Sequence, residues 1–137
     1  MVNLISFEDL SDNRGGLVSY EESRNIPFPI KRVYCIYNVG SDVARGSHAH
    51  KELQQVAVCI QGSCTMLLDN GREKESIVLS SPYVGVYIGR NVWRVMKNFS
   101  KDCVLVVLAS KLYDESDYIR TYDKFLNELK VGQDEER

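Results

Sequence analysis

At 137 residues the chain has the length of one domain, enough to bury a full core without staples. Lys and Arg number 17 against 19 Asp and Glu, a net charge of −2, so the cationic excess that nucleic-acid binders use to neutralise phosphates is missing and nucleic acid is excluded as a partner. Segment 1–12 carries too short an apolar run for a signal peptide, and no run of roughly eighteen apolar residues occurs, so a cytoplasmic protein without membrane contact is expected.

Short β-rich runs punctuated by turns predict strands at 17–20, 31–38, 54–60, 63–69, 76–79, 85–88, 92–96 and 103–109. Gly15-Gly16, Gly85 and Gly89 read as turn or bulge positions, and Asn70-Gly71 as a two-residue hairpin turn, since both residues tolerate positive φ. Strands this short at near-regular spacing mean a sandwich or barrel, spanning about 13–110. Beyond Ser110 the period changes: Ile119, Tyr122, Leu126 and Leu129 recur at helical spacing and predict a helical segment over about 114–131, packed outside the barrel or against a second subunit. The polar tail 132–137 is expected to fray.

Cys35, Cys59, Cys64 and Cys103 all fall in apolar strand-like segments and never as Cys-x-x-Cys, so they read as buried thiols of a reducing compartment. Cys59 and Cys64 flank the Gln61-Gly62 turn and are placed to face one another, which leaves a zinc or disulfide role open. The chain has 2 histidines, and both lie in Arg45-Gly46-Ser47-His48-Ala49-His50-Lys51, ahead of a strand-like run. Alternate side chains of a strand share a face, so His48 and His50 should project together. Two imidazoles on one face suit either metal ligation or proton transfer near neutral pH.

A small barrel with His-x-His leading into a strand resembles the cupin family, whose first motif places a glutamate a few residues after the histidines and a glycine beyond it. Gln55 stands at the glutamate position, Gly62 at the glycine, and Val92 and Trp93 stand where a second motif would supply another histidine. Glutamine is a poor ligand beside an anionic carboxylate, so the histidines are read as acid–base groups, with no metal and no cofactor. The expected fold is all-β, a cupin double-stranded β-helix (jelly-roll) barrel with a C-terminal α-helix.

The match narrows over Lys31-Arg32-Val33-Tyr34, the histidine heptapeptide, Leu53-Gln54-Gln55-Val56, Val84-Gly85-Val86-Tyr87-Ile88-Gly89, Val92-Trp93-Arg94, Leu108-Ala109-Ser110 and the stretch from Tyr113 to Arg120. In this order they resemble the dTDP-sugar 3,4-ketoisomerases, over about 13–125. The resemblance implies a dTDP-linked 4-keto-6-deoxy sugar as substrate, its ketone moved from C4 to C3 through an enediol or enediolate on the way to 3-amino-3,6-dideoxy sugars. It implies His48 as base, with Tyr34 and His50 as donors to the developing oxyanion. Arg45 and Arg32 are expected on the diphosphate, Gln55 among the substrate-binding residues, and Trp93 as an aromatic that shapes the sugar pocket. Arg14 resembles the branch that gives galacto-configured products and Arg94 the gluco-forming branch, and the galacto product is the expectation. Relatives of this type are homodimers that exchange N-terminal strands, which is expected here too. The rival readings are a nucleotide-sugar 3,5-epimerase, a non-catalytic sugar-binding cupin and a metal-dependent cupin oxygenase.

Overall fold

The computed structural model describes residues 2–135. In chain order the strands are β1 (Asn3–Ser6), β2 (Arg32–Tyr37), β3 (Arg45–His50), β4 (Gln55–Gln61), β5 (Cys64–Asp69), β6 (Lys74–Leu79), β7 (Val84–Ile88), β8 (Trp93–Lys97), β9 (Val104–Ala109) and β10 (Tyr118–Ile119), followed by helix α1 (Tyr122–Glu135). They form two antiparallel five-stranded sheets, ordered β1-β7-β4-β9-β2 and β10-β3-β8-β5-β6. This is the jelly-roll architecture of a cupin barrel.

Period-2 alternation sends Ala57, Cys59, Leu105 and Val107 from the first sheet, and Met66, Leu68 and Met96 from the second, into one shared core. The opposite face of β4 and β9 is also apolar, and Val56, Val58, Val106 and Leu108 are covered by Phe7, Ile26 and Phe28. That is why these strands read as continuous apolar runs. On the far side of the second sheet, Ala49, Trp93 and Ile119 pack beneath Phe125 of α1. Among the described residues no helix is long and apolar enough to cross a membrane.

Four expectations need correction. Residues 17–20 form no strand, because β1 pairs with β7 from Asn3↔Tyr87 to Ser6↔Val84 and takes that edge of the sheet. Val18 and Tyr20 instead pack on the outer apolar face, with the Tyr20 hydroxyl donating to the Pro82 carbonyl at 2.6 Å. The β5–β6 hairpin exists, but Asp69 pairs with Lys74, so Asn70 and Gly71 belong to a longer loop in which Asn70 Oδ1 accepts from the Arg72 and Glu73 amides. Cys35 is exposed, since Tyr34 and Ile36 take the inward positions of β2.

The helical segment also begins later than its periodicity implies. Asp114 caps a short 3-10 turn, Glu115–Asp117, and Tyr118 and Ile119 then pair with His50 and Ala49. The helix starts after Thr121, whose hydroxyl accepts from the Lys124 amide, and continues to Glu135, past the expected end at 131. Residues 136 and 137 of the expected frayed tail lie outside the described residues.

Candidate active site

A bulge in β3 aims the first histidine. Gly46 (φ 92°) and Ser47 (φ 40°) adopt left-handed conformations, and the ladder to β8 slips between Gly46 and His48. Beyond the bulge alternation is restored, and the rings of His48 and His50 lie edge to face with centroids 4.8 Å apart. His48 Nδ1 hydrogen-bonds the Gly46 carbonyl oxygen. A carbonyl only accepts, so Nδ1 carries the proton and Nε2 keeps the lone pair.

His48 lines a cavity of about 310 Å³ together with Arg32, Tyr34, Arg45, Met96, Tyr118 and Arg120. Burial first, then the Arg94 charge, lowers His48 to about 4 and His50 to about 2. Both rings are therefore neutral at pH 7, and His48, the less depressed of the two, is the one with a lone pair facing the cavity. A hollow of about 460 Å³ beside Asn3, Arg24 and Tyr87 is larger, yet no histidine or carboxylate lines it. The imidazole of His48 lines the smaller cavity.

Behind the cavity wall runs a polar relay. Arg94 is 1 % exposed and, among the described residues, has no carboxylate in an ion pair with it. Burial lowers it to about 10, so it stays cationic at neutral pH. Its guanidinium donates to Gln55 Oε1 and, at 2.9 Å, to the Val92 carbonyl. A guanidinium has no acceptor, so it fixes the Gln55 amide with Nε2 outward, and that nitrogen donates to the Tyr34 hydroxyl oxygen at 2.8 Å. The Tyr34 oxygen is thereby an acceptor from Gln55, and its own O–H is left to donate into the cavity. Burial raises the Tyr34 pKa, which keeps that proton on at neutral pH.

His50 is 1 % exposed and sits beneath Tyr118, with ring centroids 4.2 Å apart, rather than on the cavity wall where a direct donor to substrate would stand. Its Nδ1 is 3.3 Å from Asp117 Oδ2. That carboxylate is held in place by the Glu52 and Leu53 amides at 2.9 and 3.2 Å. The contact is close but poorly aligned for a hydrogen bond, consistent with a neutral ring.

Arg32, Arg45, Tyr34 and His48 thus stand on the cavity, while Gln55, Arg94 and His50 form the layer behind it. Two expected residues lie elsewhere. Trp93 does not shape the pocket: on β8 it is Arg94 and Met96 that point inward, and Trp93 packs beneath α1 against Tyr122 and Phe125, with centroids 5.5 and 5.8 Å away. Arg14 is absent from the cavity wall; it sits in a tight turn, bonded to Asp12, with its side chain 86 % exposed.

Tyr118, Arg120 and Asp117 are site residues that sequence reasoning missed. Tyr118 packs on both histidine rings, and Arg120 lies over the Tyr118 ring at 4.2 Å while forking onto Glu115 at 2.6 and 2.7 Å. The i, i+2 spacing of Tyr118 and Arg120 was the available signal, hidden by a helical apolar period. The cupin metal does not fit these residues, because Gln55 is committed to Arg94 and Tyr34, and Trp93 faces the helix. Arg32 and Arg45 make no ion pair among the described residues and leave the mouth of the cavity cationic.

The profile of the FdtA family (WxcM-like, C-terminal) matches residues 1–130. The chain belongs to this family. It is 54 % identical over 122 residues, 89 % of the chain and 88 % of the relative, to the TDP-4-oxo-6-deoxy-alpha-D-glucose-3,4-oxoisomerase of Aneurinibacillus thermoaerophilus. The sugar 3,4-ketoisomerase of Thermoanaerobacterium thermosaccharolyticum, solved with TDP, superposes with a TM-score of 0.92 at 49 % identity, covering 95 % of each chain. A mutant of that enzyme was solved with TDP-4-keto-6-deoxyglucose. The 3,4-ketoisomerase of Helicobacter canadensis superposes with a TM-score of 0.91 at 47 % identity over 94 % of this chain and 97 % of that one.

Proposed function

We propose that this enzyme moves the ketone of dTDP-4-keto-6-deoxy-glucose from C4 to C3. The observation that carries the reading is a neutral histidine with its proton locked on Nδ1, set in a cavity whose other wall presents the Tyr34 hydroxyl with Arg32 and Arg45, which make no ion pair among the described residues. His48 Nε2 takes the C3 proton, and the electron pair of the broken C–H bond forms the C3–C4 double bond as the C4 carbonyl oxygen gains negative charge. Tyr34 donates to that oxygen. Collapse of the enediol then forms the C3 carbonyl as the C3 hydroxyl gives its proton to the Tyr34 oxygen, and the imidazolium returns a proton to C4. A conjugate acid near pKa 4 is a strong donor, so one residue serves both steps. A bound diphosphate dianion raises that value and strengthens the base when substrate is present.

Arg45 and Arg32 receive the diphosphate. His48 removes the C3 proton and returns one to C4 from the same side of the ring, which leaves the C4 hydroxyl axial, so the product is read as the galacto-configured 3-keto sugar. The product is then the substrate of an aminotransferase in 3-amino-3,6-dideoxy sugar synthesis. Two copies assemble as a homodimer by exchange of β1, an edge strand whose sheet neighbour among the described residues is β7. Incubation with dTDP-4-keto-6-deoxy-glucose followed by NMR tests the proposal. It predicts a C3 ketone, absent in His48→Asn, and a ketone that stays at C4 overturns it.

A further inference from the structure

Away from the histidines, the core gathers three thiols. Cys59 lies late in β4, Cys64 opens β5, and Cys103 immediately precedes β9. They are 0, 1 and 3 % exposed. Cys59 Sγ is 3.6 Å from Cys64 Sγ and 3.7 Å from Cys103 Sγ, and all three sulfurs lie within 4.8 Å of one another. The run of β4 from Gln55 to Cys59 measures about 13 Å, so the trio sits well away from the proton-transfer site. Burial raises Cys103 to about 12, and the contact with Cys64, then burial, raises Cys59 further. Cys59 and Cys103 are therefore S–H groups, and each thiol of the trio is packed among apolar core residues.

We infer that Cys59, Cys64 and Cys103 form a binding site for trivalent arsenic, taken up as arsenous acid. Soft thiol sulfur selects soft, thiophilic centres. With metal–sulfur bonds of about 2.3 Å, a planar three-sulfur centre needs sulfurs about 4.0 Å apart, and a pyramidal centre needs them closer. Separations of 3.6 and 3.7 Å match the pyramidal case. Charge decides in the same direction. Arsenous acid and three thiols give one arsenic trithiolate and three waters, with three As–O and three S–H bonds broken, three As–S and three O–H bonds formed, and no change of oxidation state. The product is neutral, whereas Cu(I) held by the same thiolates would leave net charge in an apolar core. Zn(II) would call for a fourth ligand, and among the described residues the donor cluster contains only these cysteines. Asp102, beside Cys103, is exposed and accepts instead from Ser100 Oγ.

The bound arsenic would tie β4 of one sheet to β5 of the other, and so stabilise the folded chain. The test uses the reduced full-length protein with sodium arsenite. Intact mass should show one arsenic added and three protons lost per chain, unchanged in Cys35→Ser and at least about 10-fold weaker in Cys59→Val and Cys103→Val. Thermal unfolding of the wild type should shift upward, because the folded site binds better than unfolded thiols. X-ray absorption should show three sulfurs around arsenic. A downward thermal shift, uptake that requires Cys35, or an arsenic with two sulfurs and an oxygen each overturns the assignment, and the wild-type readings decide even if a variant fails to fold.

Discussion

Gln55→Glu changes almost no volume but reverses the hydrogen-bonding logic behind Tyr34. In the wild type Arg94 holds the Gln55 oxygen, so the amide nitrogen donates to Tyr34 at 2.8 Å and the phenol proton stays available. A carboxylate has no donor, so Glu at this position pairs with Arg94 and draws the Tyr34 proton onto itself. The cavity then loses its donor to the developing oxyanion, worth on the order of 10²–10³ in kcat. The same carboxylate cancels the Arg94 charge, which is second only to burial among the causes that lower both histidines, so His48 and His50 should titrate higher. The variant should remain folded, because it turns an isolated buried cation into an ion pair. Steady-state kinetics with NMR detection gives kcat, and ¹⁵N-detected titration of the imidazoles gives the shift. A kcat within about threefold of wild type would refute the relay, since a donor lost at this position cannot cost so little.

His48→Asn should lower kcat by at least about 10²-fold with nucleotide affinity nearly unchanged, and near-normal turnover in that variant would move the base elsewhere. Arg45→Ala should raise KM by about 10-fold or more at constant kcat, because a charge-assisted hydrogen bond worth about 1.5–3 kcal/mol is lost in ground and transition states alike; an unchanged KM removes Arg45 from the diphosphate. Acid should destabilise the fold early. Both histidines bind protons in the folded chain only well below their ordinary value of 6.5, so the stability from their neutrality is full above that pH and is lost as pH falls, toward about 4 for His48 and about 2 for His50. Melting temperature should drop between pH 7 and 5, with a shallower slope in His50→Gln; parallel slopes in the two proteins would contradict the buried neutral ring.

The pairing of His48 with His50 was legible from strand parity, whereas Tyr34, Arg32 and Arg45 were expected from the family resemblance and their chemistry, and Arg45 and His48 share the cavity across the bulge. The inward face of β2 carries Arg32, Tyr34 and Ile36, and His48 and His50 keep parity despite the bulge. Trp93 and Arg94 show what parity alone leaves open: one must face the core and the other the helix, and only the packing of Phe125 and Ile119 on the outer face decides which. Arg14 is set by its turn, where Asp12 captures the guanidinium locally. Residues 17–20 have strand composition, but the sheet edge they need belongs to β1. The apolar period through Ile119, Tyr122, Leu126 and Leu129 is real on the packed side, yet Ile119 reaches that side from a strand, and this concealed Tyr118 and Asp117.

The decisive measurement is proton NMR of dTDP-4-keto-6-deoxy-glucose converted by the enzyme in deuterium oxide. A suprafacial transfer through His48 predicts a ketone at C3, at C4 the hydrogen taken from C3 or deuterium exchanged onto the imidazolium, and an untouched C5 proton. A ketone that remains at C4 with deuterium entering at C3 and C5 would identify an epimerase and contradict the proposed chemistry.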